Sequence, residues 1–110
     1  MSDRLFIYGT LAPGQRNHYV LEDVQGTWEK ASLRGYLHER GWGAAHDCPG
    51  IVLSDEAEPV AGHLFTSEQL ADLWPMLDAF EGDEYKRTPV TVKTDDGKQV
   101  SAQVYALASA

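Results

Sequence analysis

Apolar positions along the chain change spacing several times, and each spacing predicts an element. Leu5-Phe6-Ile7-Tyr8 is a continuous apolar run closed by Gly9, which predicts a short buried strand breaking into a loop over Gly9–Gly14. Asn17 to Asp23 fits a short helix. Val24 to His38 alternates loosely and carries Trp28 and Tyr36, so it predicts a strand, a bend near Lys30 and a second strand. Three glycines and a proline within Gly41–Gly50 predict an irregular loop from which Trp42 folds back onto the body. Ile51–Leu53 and Val60–Phe65 predict two strands, paired as a hairpin across the acidic turn between them.

From Thr66 the period becomes helical. Thr66-Ser67-Glu68-Gln69 matches a capping box, predicting a helix from Ser67. Leu70, Leu73, Trp74 and Leu77 share one face of it. Pro75 removes a backbone donor and predicts a kink, or two short helices, and Gly82 suits the C-terminal end. Thr88–Thr94 and Gln99–Leu107 then alternate about Asp95-Asp96-Gly97-Lys98, a hairpin signal. Strands outnumber helices and do not interleave with them one for one, so the fold class is α+β, with the sheet curled enough to close partly into a β-barrel.

Composition narrows the function. The 110 residues carry 17 Asp and Glu against 9 Lys and Arg, a formal charge of −8, which disfavours nucleic acid as a partner. The length predicts one domain over residues 1–110. A single cysteine, Cys48, excludes an internal disulfide and any multi-cysteine metal site. No signal-like or membrane-spanning apolar run is seen, so a protein of the cytoplasm acting on a small molecule is expected.

Two places offer chemistry. The loop after Tyr8 can aim consecutive backbone N–H groups at one anion, or serve only as a tight connection. Gly9 and Gly14 have the spacing of a phosphate loop, but Gln15-Arg16 stand where Lys-Ser/Thr is required, which rejects nucleotide binding. Glu81 follows Leu77 by four residues and Trp74 by seven, placing its carboxylate on the buried stripe, where desolvation raises the pKa. If the helix frays earlier, the same side chain meets water. Asp78 is placed to pair with Glu81 or a backbone donor. Tyr85 and Arg87 point to one side of the incoming strand, either toward Glu81 or as an edge aromatic and a surface charge. His38, His46, Asp47 and Cys48 have no metal-ligand spacing.

Tyr8-Gly9-Thr10-Leu11, with Gly14 and Asn17, resembles the N-terminal signature of the γ-glutamylcyclotransferase-like family. Leu77-Asp78-Ala79-Phe80-Glu81-Gly82, with Tyr85 and Arg87, resembles its second signature, and Pro49-Gly50-Ile51-Val52 lies between them as in the family. The resemblance runs from Leu5 to about Leu107, and the Tyr-Gly-Thr-Leu form and short length look most like its γ-glutamylamine cyclotransferase branch.

This resemblance implies a small, mixed, partly closed β-barrel flanked by short helices, with a cavity at one end. It also implies release of 5-oxoproline from a small γ-glutamyl substrate without metal or cofactor. It assigns Glu81 the role of base and then acid. Backbone N–H groups of Gly9, Thr10 and Leu11 would hold the substrate carboxylate or oxyanion, while Tyr8 and Tyr85 wall the pocket and donate hydroxyl hydrogen bonds. A binding module of the same fold without turnover, and a hydrolase using the same pocket, are the alternatives.

Overall fold

The structure, a computed structural model, describes residues 3–8, 14, 18–38, 50–82 and 85–107. Its elements are β1 (Arg4–Ile7), a 3-10 turn (His18–Val20), β2 (Thr27–His38), β3 (Gly50–Leu53), β4 (Pro59–Thr66), α1 (Leu70–Glu81), β5 (Tyr85–Thr94) and β6 (Gln99–Leu107). Five strands run in the order β2-β4-β1-β6-β5, and the ring closes because β5 pairs back onto β2 through Ala31–Thr94 and Ser32–Lys93. Among the described residues only β1 and β6 pair in parallel; the other ladders are antiparallel. The predicted partial closure is thus a closed, mixed five-stranded barrel, with β3 added beside β2.

The period of two sorts the strands into two packed layers. Phe6, Leu33, Leu64, Val92 and Val104, with the small residues Ala31, Ala102 and Ala106, form one buried cluster. A five-stranded ring encloses little space, which explains the alanines. Gly62 is needed for the same reason, since a Cβ there would lie 2.6 Å from the Ile7 carbonyl and 2.7 Å from the Phe6 ring. The alternate residues Leu5, Ile7, Phe65 and Tyr105 face the other way and pack under Leu70, Trp74 and Leu77 of α1. Leu70 and Leu77 are fully buried, each contributing roughly 1.5–3 kcal/mol.

Several sequence expectations are corrected. Thr27–His38 is one strand with no break at Lys30. β4 takes one edge over Thr27–Arg34, while the other edge goes first to β5 and then to β3. In a tightly coiled barrel a strand curves continuously and changes partner without a bend.

Ile51–Leu53 and Val60–Phe65 do not form a hairpin. Both pair with β2, and the connection steps across that strand, tied by Arg34 Nη1 to the Ala57 carbonyl at 3.0 Å and Gly35 N to the Glu58 carbonyl at 3.3 Å. Alternation reports which face a residue occupies, and both faces look the same whichever edge is paired.

The helix expected at 17–23 is a single 3-10 turn, closed by Leu21 N on the His18 carbonyl at 2.9 Å. Leu21 is its buried anchor. Only a few residues then separate it from β2.

α1 starts at Leu70, later than the capping box implied. The Ser67 hydroxyl accepts from Gln69 N at 3.1 Å and donates to the Gln25 carbonyl, while the Gln69 side chain accepts from Gln25 N. Those groups anchor the chain before β2 instead of capping the helix. Pro75 does not divide α1. It and Ala71, whose carbonyl loses an intrahelical donor, are both exposed, so water can take the vacant bond. The β5–β6 hairpin about Asp95–Lys98 is as the sequence predicts. No helix among the described residues is long and apolar enough to cross a membrane.

Candidate functional site

Strand directions gather the chemistry at one end of the barrel. β1 and β6 are parallel and β5 is antiparallel to β6, so the residue after β1 (Tyr8), the end of β6 and the start of β5 (Tyr85) lie together. α1 ends at Glu81, four residues before Tyr85, and delivers its C-terminus to the same end. Gly9, Thr10 and Leu11, expected to present backbone donors, lie outside the described residues, as does the 41–49 part of the irregular loop. The chain enters Gly9–Leu11 from Tyr8 at this end.

Tyr8 does not project freely. Its hydroxyl donates to the Tyr105 carbonyl at 2.6 Å and accepts from Ile51 N at 3.1 Å, tying β1, β6 and β3 together. The ring stacks on Phe6 with centroids 6.4 Å apart. The Tyr8 hydroxyl proton is therefore engaged with the Tyr105 carbonyl. Tyr85 is partly buried and packs on the cluster under α1.

The Asp78 carboxylate meets two side chains, from Tyr105 and Arg87. Its Oδ1 accepts from the Tyr105 hydroxyl at 2.6 Å and lies 3.2 Å from Arg87 Nε. The Arg87 guanidinium sits 4.6 Å from the Trp74 ring centroid, in cation–π range. The Asp78 and Arg87 side chains are 43% and 31% exposed, so this ion pair contributes about 0–1 kcal/mol to stability. Its consequence is geometric: it fixes α1 against β5 and β6.

Sequence reasoning left Arg87 open as a surface charge and gave Tyr105 no role. The signal was present in the hairpin, because the Asp95–Lys98 turn sets a register that places Arg87 directly opposite Tyr105, on one face and within reach of one acceptor.

Glu81 closes α1. The helix is not frayed there: Gly82 N donates to the Asp78 carbonyl at 3.1 Å, and Gly82 then turns the chain with φ 81 and ψ −175, a region open essentially to glycine alone. Glu81 is only partly exposed. Burial raises its carboxyl from an ordinary 4.5 to about 7, because the charged form loses hydration. The Tyr105 hydroxyl is also pushed up, chiefly by burial and next by its hydrogen bond to Asp78; it stays neutral and donates. A carboxyl that is half-ionised near neutral pH can both take and return a proton.

Comparison with known proteins shows the family of the chain. The family model described as "Gamma-glutamyl cyclotransferase, AIG2-like" matches residues 5–110. The chain belongs to that family. YkqA of Bacillus subtilis is 30% identical to this AIG2-like chain over 102 residues, covering 92% of it and 34% of YkqA. The crystal structure of YkqA superposes with a TM-score of 0.73. A mouse AIG2-like protein, solved at 1.90 Å, gives a TM-score of 0.75 at 26% identity, covering 98% of this chain and 78% of that one. This AIG2-like chain spans about a third of the length of YkqA and most of the mouse protein.

Proposed function

We propose that residues 1–110 act as a single domain that releases 5-oxoproline from a γ-glutamyl amine or γ-glutamyl amino acid, with Glu81 as general base and then acid. The observation that carries this reading is the Glu81 carboxyl, partly buried and raised to about 7, at the end of the barrel shared by Tyr8 and Tyr85. Family membership supports it. The substrate's α-ammonium must lose a proton before its nitrogen can attack. Glu81 as carboxylate accepts that proton, and the amine adds to the γ-carbonyl carbon to close a five-membered ring. The tetrahedral intermediate loses the second proton of its ring nitrogen and collapses with cleavage of the bond to the leaving amine, which takes up that proton and the one held by Glu81 and departs as an ammonium.

Attack within one molecule makes folding the glutamyl chain a main source of acceleration, and proton transfer supplies about 10²–10⁴-fold more. Backbone donors of Gly9, Thr10 and Leu11 are proposed to hold the carboxylate or the oxyanion, with the Tyr8 and Tyr85 rings as walls. As written, the reaction draws on no metal or cofactor.

The test is a panel of γ-glutamyl amino acids and γ-glutamylamines with products read by mass spectrometry. Release of 5-oxoproline supports the proposal. Free glutamate instead marks amide hydrolysis, and an intact panel with a Tm raised by 5-oxoproline marks a binding module; either result overturns it.

A further inference from the structure

Asp78 lies one turn before Glu81 on α1, and a single oxygen of its carboxylate gathers two donors from two strands: the Tyr105 hydroxyl of β6 at 2.6 Å and Arg87 Nε of β5 at 3.2 Å. Arg87 and Tyr105 are directly opposed in the β5–β6 ladder, so the donors arrive as a pair fixed by the sheet. Both bonds fasten the last turn of α1 to the barrel wall. Tyr105 is also anchored from behind, where its carbonyl accepts the Tyr8 hydroxyl at 2.6 Å. One residue thus joins the end of β1, from which Gly9–Leu11 departs, to the turn that carries Glu81.

We infer that Tyr105 and Asp78 are positioning residues, which hold the last turn of α1, and with it the Glu81 carboxyl, in register with the end of β1 and away from bulk water. The inference rests on the proposed role of Glu81. Among the described residues, the titratable and charged groups of the elements meeting at this end are Asp78 on the same helix, Tyr85 and Arg87 on β5, Tyr105 on β6 and Tyr8 after β1. Arg87 offsets the Asp78 charge, which leaves burial as the influence on Glu81. Loosening the last turn admits water and returns that carboxyl toward its ordinary range.

The experiment is the Tyr105→Phe substitution in the intact chain, which deletes one hydroxyl. The ¹³C NMR titration of the Glu81 carboxyl, assigned with Glu81→Gln, is read beside kcat, KM and urea stability. The expected result is a titration midpoint lowered by about one pH unit or more. kcat falls about tenfold while KM changes by less than about twofold, the signature of a misplaced group that still leaves binding intact. A folded variant with unchanged midpoint and kcat overturns the inference, whatever its stability.

Should Tyr105→Phe not fold, Asp78→Ala and Asp78→Asn make the same comparison at a more exposed position. Asn keeps an acceptor for Tyr105 and should restore most of the kcat lost in Ala; wild-type kcat in both variants overturns the inference. If the wild type forms no 5-oxoproline but the Glu81 midpoint still moves in Tyr105→Phe, positioning stands and the cyclotransferase reading falls.

Discussion

Replacing Glu81 by glutamine should make the protein more stable, and increasingly so as pH rises from 4.5 to 8. The folded carboxyl titrates near 7 while its ordinary value is 4.5. Between those values the folded state keeps a proton that the unfolded state has released. Unfolding therefore releases a proton, and stability falls as pH rises through that window. The interval of about 2.5 pH units, at about 1.4 kcal/mol each, sets a ceiling of about 3.5 kcal/mol on the destabilisation by the ionised group.

Glu81 retains some exposure, so we expect about 2 kcal/mol, which for a chain of this length is a Tm difference of roughly 8 °C at pH 8. Glutamine has nearly the shape of the protonated acid and no titration, so its stability lacks this slope. The assay is urea unfolding of both proteins at four or five pH values between 4 and 8.5, with constant m-values as the check on two-state behaviour. Other carboxylates cancel in the difference between the two proteins. A difference that stays constant across the range would show that Glu81 titrates as a solvated acid, and would refute the burial argument without reference to any substrate.

Two further outcomes follow from the geometry. Tyr8→Phe removes the hydrogen-bond partner of Ile51 N and of the Tyr105 carbonyl; urea unfolding should show a loss of about 1–3 kcal/mol, and a loss below about 0.5 kcal/mol would mean that the bridge is dispensable. Pro75→Ala returns a backbone donor to the exposed Ala71 carbonyl, so stability should rise by about 1 kcal/mol, the helix gain being partly offset by a freer unfolded chain; a decrease would contradict a continuous α1 through residue 75.

What could be read from the sequence was whatever depends on period and local turn chemistry. The stripe of Leu70, Leu73, Trp74 and Leu77 located α1 and placed Glu81 on its buried side, because helical spacing fixes which residues share a face. The Asp95–Lys98 turn fixed the β5–β6 hairpin. Illegible were the choices among equivalent edges: nothing in Ile51–Leu53 says that it pairs with β2 and not with Val60–Phe65. The capping box misled by three residues because Ser67 and Gln69 hold Gln25, a contact 42 or more residues away in sequence.

Around the site, Glu81, Tyr8 and Tyr85 stood out by their motifs. The Asp78–Tyr105–Arg87 linkage did not, since it needs the helix and the hairpin placed together. Its register half was available, because Arg87 opposite Tyr105 follows from the turn alone.

The central claim is that Glu81 carries the proton that permits ring closure, and one comparison addresses it most directly. It is the rate of 5-oxoproline release at saturating substrate by the wild type and by Glu81→Gln, using the member of the γ-glutamyl panel turned over fastest. With the base removed and the fold retained, the rate should fall by about a hundredfold or more. Equal rates from the two proteins would contradict the account.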